Sequence, residues 1–383
     1  MHISDTIQYI GVNDRDLDLF EGQYPVENGM SYNSYVIMDE KIAVTDTVDG
    51  RFYTQWMTQL KSVLGDRQPD YLIVHHMEPD HSANIARFAA EFPDAKIAAS
   101  AKAFSMMKQF FGDDFADRQV VLKEGDRLTL GQHTLTFLTA PMVHWPEVMV
   151  SYDDKDRILF SADGFGKFGA LDTDEPWADE ARRYYIGIVG KYGMQVQALL
   201  KKAAGLEIQK ICPLHGPALS QNLAEYLRLY DTWSSYRPET EGVVIAYTSV
   251  YGGTKQAALQ LEKMLKEKGV RTEVFDLARC DMFEAVAAAF RYSRLALATT
   301  TYNNDVFPYM HTFLHHLVSR GYQNRTVGLI ENGTWAPTAA KVMRNSLEPC
   351  KNLTVLDPVV TVRSAMNAQS AAQLAELAAQ LAK

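Results

Sequence analysis

Residues 74–82 read Val-His-His-Met-Glu-Pro-Asp-His-Ser, which places His75, His76, Glu78, Asp80 and His81 within seven residues, straight after an apolar run. A buried strand that leads into clustered carboxylates is costly to fold unless a cation compensates them, so a metal is the natural occupant. From His76 onward the pattern is His-x-Glu-x-Asp-His. On a tight loop, alternate residues can turn towards one centre while the adjacent Asp80-His81 pair addresses another, so one loop can serve two ions. Three further donors follow apolar runs and enter turns: His144 in Val-His-Trp-Pro, Asp163 in Ser-Ala-Asp-Gly and His215 in Pro-Leu-His-Gly-Pro. Such strand ends are where a rigid scaffold presents functional side chains. The seven donors can be divided as His76, Glu78 and His144 on one ion and Asp80, His81 and His215 on the other, with Asp163 bridging. That division leaves coordination positions open for a small ligand. Four imidazoles and three carboxylates without a thiolate suit iron or manganese at least as well as zinc. Iron is preferred, and zinc stays open.

Each of these histidines taken alone reads more readily as a packed or surface group; the four donors between 76 and 81 carry the inference. His75 falls out of the alternation and is expected to support or pack beside the ligands. His133 reads as an exposed turn residue. His311 and His315 have the i, i+4 spacing of a helical metal pair, but no third donor is near, so a solvated helix face is expected.

A second kind of chemistry is spelled out between 248 and 254, where Thr248, Ser249, Val250, Tyr251, Gly252, Gly253 and Thr254 join an apolar run to a helical stretch. Hydroxyls and glycine amides at a helix N-terminus hold a phosphate monoester without needing a lysine. The loop is neither a Walker loop nor GxGxxG, so a mononucleotide fits better than a dinucleotide or a triphosphate. Two later loops offer hydroxyls and amides for a heterocycle edge and a ring for its face. One holds Thr300, Thr301, Tyr302, Asn303 and Asn304, the other Asn332, Gly333, Thr334 and Trp335. Either loop alone is an ordinary turn; the three in this order favour a flavin mononucleotide site.

The elements that must position these residues fall into two groups. At 383 residues the chain exceeds one ordinary core, and 47% hydrophobic with 22% charged residues is globular usage. Up to about residue 235, short apolar runs at 34–38, 42–44, 72–74, 119–122, 133–138, 148–152 and 157–160 predict strands, several in hairpins. Helical stretches at 83–92, 101–111 and 180–206 intervene, a pattern that suits a two-sheet sandwich covered by helices. The polar link 234–240 marks a boundary. Beyond it, strands at 243–247, 272–275, 295–298, 327–330 and 353–356 alternate with helices, predicting a doubly wound parallel sheet. Domains are therefore expected over 1–238 and 241–383. The net charge of −9 argues against nucleic-acid binding. Cys212, Cys280 and Cys350 form no CxxC pair, which fits a reducing cytoplasm. Neither a signal-peptide pattern nor a run of about 18 apolar residues is present, so no membrane association is expected.

Nearly end to end, the chain resembles the flavodiiron proteins. In that family an αββα metallo-β-lactamase-like sandwich, here carrying His76-x-Glu78-x-Asp80-His81, His144, Asp163 and His215, is fused to a flavodoxin-like domain with a five-stranded parallel sheet, here carrying the 248–254 loop. The β-lactamase-like hydrolases bear a histidine where this sequence has Glu78, and the added carboxylate goes with a diiron centre. The flavin loops match less tightly: Gly253 stands where asparagine is frequent, and three threonines open the second loop. No histidine occurs in 23–32, where some members place one. The resemblance implies FMN, two non-haem iron ions, and reduction of O2 to water or of NO to N2O. It also implies rubredoxin or another soluble electron donor, and a head-to-tail homodimer or a dimer of dimers. Tyr32 and Tyr192 are candidate donors beside the pocket, with ordinary packing the stronger reading for both. The competing readings are a zinc hydrolase regulated by its flavodoxin-like half, and an electron carrier that uses that half alone.

Overall fold

The computed structural model describes residues 1–383. The chain forms two compact units, Met1–Tyr185 with Met194–Asp231, and Ile186–Gly193 with Thr232–Lys383. Residues 232–238, expected with the first domain, cluster with the second unit.

The first unit is built on two sheets. One runs in the order Ile7–Tyr9, Tyr35–Ile37, Ala43–Thr45, Tyr71–Ile73, Lys96–Ser100, Gln119–Leu122, antiparallel over its first pairs and parallel from Ala43–Thr45 onward. The other runs Arg127–Thr129, Thr134–Thr139, Met149–Asp153, Ile158–Phe160, Lys210–Cys212, with only the last pair parallel. Alternate residues of both sheets meet in one core: Ile7, Ile37 and Ile73 from the first pack with Leu135, Phe137, Met149 and Phe160 from the second. The period-2 burial of strands thus builds a sandwich, and helices such as Tyr53–Leu64 and Ala101–Phe111 cover it. In the second sheet, the loop after Thr139, the loop after Phe160 and the loop after Cys212 leave by the same end, because their strands run in the same direction. His144, Asp163 and His215 are therefore gathered by topology.

Several local expectations are corrected. The helix expected at 83–92 begins at Ile85, after a single turn at Pro79–Ser82. The helix expected at 180–206 is broken into Trp177–Tyr184, a wide turn at Tyr185–Val189, a tight turn at Gly190–Tyr192 and Gly193–Ala203. Gly187, Gly190 and Gly193 lie in the break, and glycine is a poor interior helix residue. At Gly193 a Cβ would come within 2.3 Å of the Ser234 carbonyl. His133 is buried rather than exposed: its Nδ1 lies 3.0 Å from Asp153 and its Nε2 2.8 Å from Thr6 Oγ1. His311 and His315 are exposed on the helix Pro308–Ser319, as expected.

The second unit is a parallel sheet in the order Thr272–Asp276, Thr240–Tyr247, Tyr292–Tyr302, Thr326–Asn332, Thr354–Val355, the 2-1-3-4-5 order of flavodoxin-like folds. Its last strand is split, with Thr354–Val355 and Val360–Val362 pairing with different parts of Thr326–Asn332. The interruption contains Pro358, which has no N–H to give to the ladder. The helix Gly253–Glu267 buries Ala258, Leu261 and Leu265, and the helix Ala368–Leu381 buries Leu374, Leu377 and Leu381. Leu377 packs directly over Gly328, where a Cβ would stand 2.8 Å from its side chain. No helix is long and apolar enough to cross a membrane. Leu377→Ala should lower unfolding stability by about 2–5 kcal/mol, because the backbone beneath it cannot collapse far into the gap; urea unfolding followed by circular dichroism measures it.

Candidate metal centre and nucleotide cavity

The strand Tyr71–Ile73 delivers the motif with help from two buried carboxylates. Asp46, in the left-handed region at φ 51°, follows the neighbouring strand and accepts the His75 backbone N–H at 2.7 Å. It also lies 2.6 Å from His75 Nδ1, while His75 Nε2 sits 2.8 Å from Ser151 Oγ. His75 thus ties the motif to both sheets and stays out of the ligand set, as expected. Glu147 accepts from His76 Nδ1 at 2.8 Å and from the Met77 N–H at 2.8 Å. Rather than a simple alternating loop, Glu78 is extended and Pro79 opens the single turn that holds Asp80 and His81.

Four donor atoms converge at a first point. His76 Nε2 lies 3.3 Å from Glu78 Oε2, 3.4 Å from His144 Nε2 and 3.1 Å from Asp163 Oδ2. His144 Nε2 lies 3.0 Å from Glu78 Oε2 and 3.1 Å from Asp163 Oδ2. Around a second point, His81 Nε2 is 3.0 Å from His215 Nε2, and each is 3.3 Å from Asp80 Oδ2. Asp163 Oδ1 lies 3.5 Å from His81 and 3.8 Å from His215. Metal bonds of about 2.0–2.2 Å set neighbouring ligand atoms of one ion about 3.0–3.5 Å apart, which is the spacing found here. Asp163 offers one oxygen to each group.

The hydrogen-bond pattern supplies an independent test of fit. His76 Nδ1 faces a carboxylate and His215 Nδ1 faces the Ser31 carbonyl at 2.7 Å, so both carry their proton on Nδ1 when neutral. Their Nε2 lone pairs then point at other Nε2 atoms, an arrangement that repels unless a cation lies between them. Both oxygens of Asp80 and of Asp163 are buried without a hydrogen bond, and buried polar atoms of this kind call for a partner. A pair of metal ions accounts for all of them.

Burial and charge act together on the titrations. Burial opposes protonation of His144, but Asp163 and Glu78 outweigh it and push its pKa up to about 9. Burial likewise opposes protonation of His76, yet Asp163, Glu147 and Glu78 raise it well above the ordinary value. For Asp163, burial opposes ionisation but His76 and His144 hold it well below the carboxylate range. His81 is lowered, chiefly by burial. Phe20, Tyr32 and Tyr184 place their rings 5.4–5.9 Å from that of His215, walling off the second group. Tyr32 is packed there with its hydroxyl 3.5 Å from Asp14, whereas Tyr192 is half-buried in the Gly190–Tyr192 turn of the second unit. Glu78 and Asp80 are the most exposed of the seven, with side chains 16% and 11% accessible, so the centre opens on their side.

In the second unit, the carboxyl ends of the parallel strands surround a cavity of about 620 Å³, a size suited to a small organic ligand. Ser249, Val250, Tyr251, Gly253 and Thr254 line it from the first loop, Thr300, Thr301, Tyr302, Asn303 and Asn304 from the second, and Asn332, Gly333, Thr334 and Trp335 from the third. Thr248 turns away to Thr299, 2.6 Å between hydroxyls, and Gly252 caps the following helix at φ 93° without lining the cavity. Ser364 is a lining residue that the sequence reading missed. A Cβ at Gly253 would stand 2.3 Å from its carbonyl, a physical reason for glycine at that position. Tyr251 and Trp335 are 100% and 88% exposed at the rim and present free aromatic faces.

A sandwich with metal-ligand loops at one end, joined to a 2-1-3-4-5 parallel sheet with a nucleotide-sized cavity at its carboxyl ends, defines a metallo-β-lactamase-like protein with a flavodoxin-like half. Residues 30–216 match the family model described as ODP family beta lactamase. A nitric oxide reductase of Moorella thermoacetica is 28% identical over 94% of this chain and 92% of its own. The rubredoxin oxygen:oxidoreductase of Desulfovibrio gigas superposes with a TM-score of 0.93 at 25% identity, over 100% of this chain and 97% of that one. The flavodiiron protein of Giardia intestinalis shares the fold, with a TM-score of 0.88 at 22% identity over 100% and 97%. The chain belongs to the flavodiiron proteins.

Two predictions concern the centre. Glu147→Gln should weaken metal binding by about 10–100-fold, the usual effect of losing a partner that orients a ligand, read by competition with a chelator. His144 in the metal-free protein holds a proton up to about pH 9, so a metal must displace it. Apparent affinity should then rise about tenfold per pH unit, for each proton displaced, as pH approaches 9. By the same linkage, the stability that protonated His144 gives the metal-free fold is complete below its unfolded pKa and is lost as pH rises through 9. Chelator competition from pH 6.5 to 9 checks the first trend and thermal unfolding the second.

Proposed function

We propose that this protein is a flavodiiron oxidoreductase that reduces O2 to water, NO to N2O, or both, using FMN and two non-haem iron ions. The observation that carries this reading is the sharing of Asp163 between two donor groups, one of which includes Glu78. When bound, the flavin supplies electrons one or two at a time, and the iron pair supplies adjacent redox sites for multi-electron reduction of a small molecule.

The chain's own residues do the rest. His76, Glu78 and His144 would hold one iron, Asp80, His81 and His215 the other, and Asp163 both. Three carboxylates offset most of the charge of two divalent ions, so the buried site is not left strongly cationic. Glu147 and the Ser31 carbonyl fix the tautomers and orientations of His76 and His215. Phe20, Tyr32 and Tyr184 keep water from the far side. Around the flavin, the amides of the Gly253–Glu267 helix start would receive the phosphate, and Tyr251, Tyr302 and Trp335 would face the ring system. Rubredoxin or another soluble carrier is the donor we infer. A head-to-tail homodimer, or a dimer of dimers, would serve to set flavin and iron within electron-transfer distance. The relatives are named for reactions on these two gases and for rubredoxin, and this supports the assignment.

The test is anaerobic reduction of the iron- and flavin-loaded protein, followed by titration with each gas in turn. Reoxidation by at least one gas is expected. Asp163→Ala and Glu78→Ala should each abolish gas consumption while the flavin spectrum persists, and undiminished consumption in both would contradict the site. Two zinc ions per chain with hydrolytic turnover and no flavin spectrum would favour a hydrolase instead.

A further inference from the structure

A second cavity lies in the first unit, outside the ligand set. It measures about 20 Å³, and its walls include Val143, Ser161, Gly164, Val196, Leu199 and Tyr230. Only Ser161 and Tyr230 among its lining residues carry side-chain polar groups. Both are already bonded: the Ser161 hydroxyl donates to the Gly164 carbonyl at 2.6 Å, and the Tyr230 hydroxyl accepts the Phe165 N–H. A buried water needs about two to four polar partners, and apolar cavities lacking them stay dry. The space exceeds the roughly 10–15 Å³ that one water-sized molecule requires. Its natural occupant is thus a single small uncharged molecule without strong hydrogen-bonding demands.

The position of the cavity gives that occupant a role. Val143 directly precedes His144, and Gly164 directly follows Asp163, and these two ligands face each other at 3.1 Å in the first donor group. The same two backbone segments therefore wall both the cavity and the metal centre. We propose that this cavity is a binding site for the diatomic gas, O2 or NO, that the centre reduces, and that gas reaches the centre from it between the 143–144 and 163–164 segments. The proposal rests on the gas-reductase reading above. Polar water and ionic species have no corresponding foothold there, so the cavity raises the local concentration of the apolar substrate alone.

Two measurements test it. Crystals of the wild type and of Leu199→Ala pressurised with xenon should show the gas in this cavity, more strongly in the enlarged variant. In the iron- and flavin-loaded enzyme, Val196→Phe, which fills the space, should raise KM for the gas by about threefold or more at unchanged kcat and cofactor content. Should Val196→Phe not fold, Ala203→Leu on the same helix replaces it. Absence of xenon from both crystals overturns the proposal, and so does a wild-type KM in the filled variant while gas reduction persists. A wild type that takes up xenon but reduces neither gas would instead overturn the functional reading, and the feeding role with it.

Discussion

The structure depends on reconciling seven metal-ligand side chains whose lone pairs and negative charges converge in a place that excludes water. Asp163 is the centre of that constraint. It is buried, it turns one oxygen to each donor group, and it accepts no hydrogen bond. In a low-dielectric interior such a carboxylate is tolerable only beside compensating charge. The scaffold is arranged to impose this proximity. The two sheets close an apolar core, and the strand ends that leave it are fixed in register before any ligand is placed. Asp46, Glu147 and the Ser31 carbonyl then lock the loops from behind.

Legibility in the sequence tracked the range of each interaction. The seven ligands could be read because each follows an apolar run, and four of them lie in one six-residue stretch. Their division between two groups was readable from the alternation at 76–81, although the local geometry is an extended residue followed by one helical turn. Glu147 was not readable, since its partner His76 is 71 residues away and nothing in its own neighbourhood marks it. Asp46 was hidden for the same reason. His133 was misread because a turn context suggests exposure, whereas Asp153 and Thr6, distant in sequence, bury and pair it. The helix at 180–206 looked continuous by hydrophobic period, and the cost of three glycines was underweighted. Parallel strands were the most readable elements, because their continuous apolar runs have no competing interpretation; the split at Pro358 was the exception.

The two sites are built on different principles. The metal centre is made of side chains held by other side chains, so it is sensitive to single substitutions in residues that touch no metal. The nucleotide cavity is made largely of loop backbone and hydroxyls at strand ends. Asn332 accepts the Ser364 N–H at 3.0 Å, joining two of its walls, and Gly253 admits the Ser364 carbonyl where any other residue would clash. Glycine here is a consequence of that close approach. The sequence difference from asparagine therefore reflects a repacked wall, with the amide-rich helix start retained.

Glu78 joins these strands of argument. It is the ligand most open to solution, and it shares its Oε2 between His76 and His144 at 3.3 and 3.0 Å. A histidine in its place would bring a neutral donor, leaving the first group with one carboxylate that it shares with the second. With Glu78, each group has a carboxylate of its own in addition to Asp163. An anionic oxygen donor stabilises a more highly charged ion more than an imidazole does, so this arrangement favours ions that change oxidation state over one that only polarises water. The same side chain stands where the centre opens, so any molecule arriving from solution meets this carboxylate first. A charged substrate would be repelled there, while an uncharged gas is indifferent to it. Ligand chemistry and access thus select for the same class of reaction.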